Sequence, residues 1–153
     1  MDQKLVSVLI CHYNSRKFIF ESVLSILNQT YRNIELIIID DGSTDDSHLE
    51  LDKFTDSRIR KFRNEKNMGI TYSYNKAIKM SKGEFISIMD SDDICHKDKI
   101  KIQMEYLLEN NLDVCGTEAI TFGNTRKMKL HCLEYDNDIK TLMLIGNPMI
   151  HPT

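Results

Sequence analysis

The sequence predicts an α/β domain with a mainly parallel sheet, and three observations predict it. Short apolar runs alternate with segments whose apolar residues recur at helical spacing. The runs are nearly continuous, as in strands buried on both faces, rather than alternating apolar with polar. The acidic and polar turns follow directly on the ends of the runs, the edge where such sheets bind their ligands.

In chain order, Val6 to Cys11 (VSVLIC) is the first strand. The polar break His12-Tyr13-Asn14-Ser15 follows, with Asn14 or Ser15 suited to cap a helix. That helix runs from about Arg16 to Asn28, with Ile19, Val23, Ile26 and Leu27 on one stripe. Ile34 to Asp40 (IELIIID) is a second buried strand, and Asp41-Gly42-Ser43-Thr44 is a turn. A weaker helix is expected from about Asp45 to Thr55, and an edge strand from Arg58 to Phe62. Asn67-Met68-Gly69 is a loop before a helix from Ile70 to Ser81, which Lys82-Gly83 closes. Glu84 to Met89 is a further core strand, and it ends on Asp90-Ser91-Asp92-Asp93. Lys97 to Glu109 is a charged amphipathic helix with Ile100, Met104, Leu107 and Leu108 on one side. Asp113 to Phe122 reads as a strand and Ile139 to Leu144 as a helix. Without a repeat, linker or low-complexity stretch, residues 1–153 are expected to form a single domain.

Bulk properties narrow the function. At 153 residues, 41% hydrophobic and 28% charged, the chain can bury a core and is far from the disordered class. A net charge of -3 with scattered lysines and arginines argues against nucleic acid as a partner. No segment reaches the ~18 apolar residues that span a bilayer. The start lacks a signal-peptide core, so a cytoplasmic setting is expected. Cys95-His96 and His131-Cys132 offer zinc-type donors, but without paired spacing reduced, partly buried thiols are the better expectation.

Three motifs carry the chemistry. Tyr13-Asn14, Asp40-Asp41-Gly42 and Asp90 to Asp93 each follow a strand, so a parallel sheet gathers them on one edge. Three carboxylates within four residues repel one another unless a hard divalent cation sits among them; the alternative is a solvated turn capping the next helix. Spacing alone leaves the two open, and the shared edge favours the cation. Asp40 and Asp41 could accept hydrogen bonds from a base or ribose, or simply build a turn. Tyr13 could stack on a nucleobase or pack locally. Neither GxGxxG nor GxxxxGK[ST] occurs, which argues against dinucleotide-dependent oxidoreductases and P-loop enzymes.

Four segments in order, VSVLICHYN (6–14), SILNQTYRNIELIIIDDGSTDDS (25–47), NMGITYSYNKAI (67–78) and GEFISIMDSDD (83–93), resemble the family 2 glycosyltransferases. The resemblance implies a Rossmann-like GT-A fold, a three-layer α/β/α arrangement. It also implies inverting transfer of a sugar from a nucleoside diphosphate, UDP above all, to an acceptor hydroxyl on a saccharide or lipid-linked molecule. In that likeness Tyr13 packs on the donor base beside the Cys11 backbone, with Asn14 close by. Asp41 binds the base with Asp40 in support, and Asn67 and Gly69 border the nucleotide. Asp90 contacts the nucleotide sugar, Asp92 and Asp90 hold Mn2+ or Mg2+, and Ser91 and Asp93 complete the shell.

The sequence also departs from the family. Cys11-His12 stand where Pro-Thr is common, Tyr74-Asn75 where Arg-Asn is common, and Lys97 where proline is common. An inverting displacement needs a general base. In the family that carboxylate follows a stretch like NPMIHPT (147–153), so it is expected beyond Thr153. Glu118, Glu134, Asp136 and Asp138 sit in no matching motif. The chain is therefore expected to be the donor- and metal-binding part of a longer enzyme, inactive alone. Membrane association through other parts of that enzyme stays open. A non-catalytic nucleotide-binding module shares every motif, whereas a phosphatase would need an alternating carboxylate pair that Asp40-Asp41-Gly42 lacks.

Overall fold

A computed structural model describes residues 3–123 and 127–143. They fall into two compact units, 1–101 and 102–153. The first holds four parallel strands, β1 (Val6–His12), β2 (Ile34–Asp40), β3 (Ile59–Arg63) and β4 (Phe85–Met89), in the order β3-β2-β1-β4. Helices α1 (Ile19–Leu27), α2 (Ser47–Leu51) and α3 (Ile70–Met80) connect them. The fold class and the alternation read from sequence are both present.

The apolar runs explain the centre of the sheet. Every residue of β1 and β2 is buried, so these two strands form its middle. Pleating sends alternate side chains to opposite faces. Leu9, Cys11, Ile37 and Ile39 meet Ala77 of α3, with Phe62, Tyr74 and Met80 at the margin. Val8, Ile10, Leu36 and Ile38 point the other way and are equally buried. Helix α1 adds the buried stripe Ile19, Val23 and Ile26. Each such side chain withdrawn from water contributes roughly 1.5–3 kcal/mol before entropy is counted. β3 is the edge strand its charged residues predicted.

β4 differs from expectation. It forms the other edge of the four-stranded sheet among the described residues, and Ile86 is 45% exposed, so it is not a core strand like β1 or β2. Its start is tied down at the end of the sheet away from the ligand edge. Buried Glu35 accepts hydrogen bonds from Ser7 Oγ (2.6 Å), Lys82 N (2.6 Å) and Arg60 (2.9 Å), and Gly83 N donates to Ser7 Oγ (2.9 Å). A Cβ on Gly83 would sit 2.7 Å from the Leu5 carbonyl oxygen, so only glycine lets the chain pass this close to β1.

Helix α4 (Lys99–Asn110) carries the chain into the second unit, where short β5 (Ala119–Ile120) and β6 (Lys129–Leu130) pair antiparallel and α5 (Asp136–Met143) follows. The strand expected over 113–122 is thus reduced to two residues. The last helix starts three residues earlier than expected, and Leu144 lies outside the described residues. On α4, Ile100 and Met104 are buried but Leu108 is 55% exposed, so the apolar side is narrower than its spacing implied. The cap expectation also fails. α1 starts after Phe18 with no side-chain cap, because Asn14 spends its side chain on the turn after β2 and Ser15 on His12 at the end of β1.

Candidate active site

The strand order builds the site. β1 is central, with β2 on one side and β4 on the other, and the chain's direction of progress reverses between β1 and β4. Such switch points leave a crevice at the carboxyl ends of the strands. The turn after β1 therefore lies between the turn after β2, with Asp41, and the turn after β4, with Asp90. The three motifs share one edge, as the sequence predicted.

Two turns are tied into one. With its backbone in the left-handed region (φ 53°), Asn14 donates from its N–H to Ser43 Oγ (2.9 Å) and accepts from Thr44 N (2.8 Å). Ser15 N donates to Ser47 Oγ (3.2 Å) and Arg16 N to Asp45 (2.8 Å). Tyr13, held on this double turn, is 46% exposed, open to a flat ligand face.

Asp40 and Asp41 part company. Asp40 continues the face of Leu36 and Ile38, where its Oδ1 accepts from Ser43 N (2.7 Å) and Arg63 lies 3.5 Å from its other oxygen. His12, its register partner, bonds Ser15 Oγ through Nδ1 at 3.0 Å. Burial, partly countered by Asp40 and Asp45, lowers the His12 pKa, so the ring is neutral near pH 7. Asp41 turns to the α3 side. Its Oδ1 accepts from Asn64 Nδ2 (2.7 Å) and Met68 N (2.9 Å), and its Oδ2 from Gly69 N (2.8 Å). Burial alone would raise the Asp41 pKa, but the bonds from Asn64, Met68, Gly69 and Ser73 together outweigh it and hold the carboxyl below its usual range. Asn67 Oδ1 also accepts from Gly69 N (3.0 Å), and Gly69 has φ 89°, a conformation that favours glycine. Gly42 is more constrained still: at φ 76°, a Cβ there would lie 2.5 Å from the Lys66 carbonyl carbon.

Between these acids sits Cys11, whose thiol pKa is pushed up to about 12 by burial and by the charges of Asp41 and Asp90. It remains a thiol. Asp90, half-buried, accepts a hydrogen bond from Tyr74 (3.4 Å), and burial together with the Asp90 charge keeps the Tyr74 phenol protonated. Ser91 and Asp93 are half-buried and Asp92 is exposed. Burial, then the charges of Asp92 and Asp90, raise the Asp93 pKa, with Lys99 opposing. Because α4 begins only at Lys99, the acidic cluster is not its cap.

The donor set fits a hard divalent cation in part. Oxygen-only, crowded carboxylates gain from a positive ion. Among the described residues, however, no three His, Cys, Asp or Glu side chains are grouped to hold a metal by themselves, so diphosphate and water oxygens would complete the shell. Cys95 bonds Ser25 and Gln29, His131 bonds Glu118, and all four cysteines are free. Sequence reasoning missed Asn64, Ser73 and Gln29, and treated Tyr74 only as a departure. All four act through contacts distant in sequence that no local motif signals.

A profile described as Glycosyl transferase family 2 matches residues 7–150. The chain is 40% identical over 112 residues to the Escherichia coli UDP-Glc:alpha-D-GlcNAc-diphosphoundecaprenol beta-1,3-glucosyltransferase WfgD, a match covering 73% of this chain and 44% of that protein. It is 42% identical over 113 residues to Glycosyltransferase GlyG of Streptococcus pneumoniae, covering 72% and 38%. Among solved structures, S. aureus TarS 1-349 in complex with UDP-GlcNAc superposes with a TM-score of 0.66 at 30% identity, covering 71% of this chain and 32% of that one. The chain thus spans half or less of the length of these proteins, and the fold it shares with them is the GT-A type.

Proposed function

The chain belongs to glycosyl transferase family 2, and from that premise we propose that it is the donor- and metal-binding part of an inverting glycosyltransferase. The donor is a UDP-linked sugar and the acceptor a hydroxyl on a saccharide or lipid-linked molecule. One observation carries the reading: the order β3-β2-β1-β4 sets Tyr13 between Asp41 and Asp90 at the switch point. WfgD, a UDP-Glc-dependent glucosyltransferase, and TarS in complex with UDP-GlcNAc support the choice of nucleotide.

Each residue then has a role. Tyr13 offers an open aromatic face to the base, flanked by Cys11 and Asn14. Asp41, held in place by its bonds to Asn64, Met68, Gly69 and Ser73, is the carboxylate offered to the base, while Asn67 and Gly69 border the nucleotide. Asp40 supports the turn from the other face. Asp90, aimed by the Tyr74 hydroxyl, and Ser91 face the nucleotide sugar. Asp92 with Asp90 would hold Mn2+ or Mg2+, which when bound neutralises the diphosphate leaving group. Asp93 is the nearby carboxylate that gains most from the positive charge.

Glu118 is engaged by Lys129 (2.6 Å) and His131 (2.7 Å), and no described late carboxylate is offered as the base. A cytoplasmic setting suits four free thiols. No helix among the described residues is long and apolar enough to cross a membrane. A phosphatase reading loses ground, since Asp40 and Asp41 are both buried and engaged rather than exposed as nucleophiles. Calorimetry of UDP binding with and without Mn2+ tests the proposal. Binding that requires Mn2+ is the expected result, and no binding in either condition overturns it.

A further inference from the structure

The polar face of α1 is spent on the segment that carries the acidic cluster. Ser22 Oγ donates to the Asp90 carbonyl (2.9 Å). Ser25 Oγ accepts from Cys95 N (3.2 Å). Gln29 Nε2 donates to the His96 carbonyl (2.7 Å) and Cys95 Sγ (3.1 Å), while its Oε1 accepts from Ile100 N (3.0 Å). Just beyond the helix, Thr30 N donates to the Lys97 carbonyl (2.8 Å) and Thr30 Oγ1 to Asp98 (2.8 Å). Ser22 and Ser25, three residues apart, share one face of α1, and Gln29 follows two residues past its last residue.

Residues 90–98 lie between β4 and α4, outside both. Their backbone groups must find partners elsewhere, and α1 together with the residues just after it supplies them. Gln29 has 0% exposure and Ser22 1%. Burying an amide without partners is costly, yet here the Gln29 amide nitrogen is satisfied by the segment and its oxygen by Ile100 N in the first turn of α4. The contact is therefore specific in direction as well as in place.

We propose that Ser22, Ser25 and Gln29 are positioning residues. From beneath, they set the shape of segment 90–98 so that Asp90 and Asp92 meet the cation and diphosphate, without touching the donor themselves. The proposal rests on the function proposed above for what the segment binds.

Two readouts on the chain test it. The first is the rate at which iodoacetamide alkylates Cys95, located by mass spectrometry with buried Cys11 as internal control. The second is the Mn2+ concentration that half-saturates UDP binding. Gln29→Met keeps the volume and removes both the amide oxygen and the amide nitrogen. It is expected to speed Cys95 alkylation and raise the Mn2+ requirement, each about tenfold, as for loss of one or two buried hydrogen bonds. Cys11 should stay protected. Ser22→Ala and Ser25→Ala should act in the same direction by a smaller factor, and Ser25→Thr, which keeps the hydroxyl, should restore wild-type values. Unchanged Cys95 labelling in Gln29→Met overturns the proposal, as does a parallel rise at Cys11, which would indicate general loosening. If Gln29→Met does not fold, the Ser25→Ala and Ser25→Thr pair decides. Failure of the wild type to bind UDP rejects the proposed function, whereas the alkylation rates still judge the contact itself.

Discussion

Asp41 and the cluster Asp90 to Asp93 follow the two strands that flank β1, on the same edge of one sheet, yet their charge is handled in opposite ways. Asp41 receives hydrogen bonds from Asn64, Met68, Gly69 and Ser73, and its carboxyl is easier to ionise than usual. Asp93 is raised by burial and by Asp92 and Asp90. The protein has satisfied the first anion internally and left the second crowded. An acid already satisfied is held in one place and needs no cation, whereas an acid left in repulsion gains from one.

The strongest way to break this contrast is to unseat the loop that satisfies Asp41. Gly42→Ala would drive a Cβ into the backbone of Lys66 and Asn67 at a positive φ. The expected loss is about 3 kcal/mol or more in urea unfolding, combining strain with overpacking. Next comes the carboxylate. Asp41→Asn leaves backbone donors at 68 and 69 poorly matched and should cost about 2 kcal/mol at pH 7. The pH dependence follows from the sign of the shift. A lowered folded pKa stabilises above the unfolded value of about 3.9 and is lost as pH falls through the folded value. The gap between wild type and Asp41→Asn should therefore close in acid unfolding curves and stay wide at neutrality. An unchanged gap at low pH would mean that shape, not charge, matters at Asp41. The smallest effect sharpens the other half. Asp93→Asn should raise stability by about 0.5 kcal/mol without metal, since it relieves repulsion. That gain should vanish when Mn2+ is added, as read by thermal melts. A loss of stability instead would show Asp93 to be internally satisfied like Asp41.

Much of this was readable from sequence because it is local. The runs at Val6 and Ile34 announced central strands, and the acids at their ends announced the ligand edge. What remained hidden was long-range. Nothing near Asn64 in the chain tells that it bonds Asp41, 23 residues earlier. Gln29 lies just past the expected helix end, and nothing local tells that its amide serves residues 66 to 71 positions later. Asn14 and Ser15 have the chemistry of helix caps, and loop-to-loop bonding won the competition for it. β4 shows a further limit: an apolar pentapeptide does not tell a central strand from an edge one.

The bonds between the turns after β1 and β2 also bear on how such a protein can be re-engineered. Asn14 with Ser43 and Thr44, Ser15 with Ser47, and Arg16 with Asp45 form a single mechanical piece drawn from two places in the chain. A graft of residues 13–16 alone from a homologue with another donor preference would strand the bonding partners at 43–47. The two stretches are exchangeable only as one cassette.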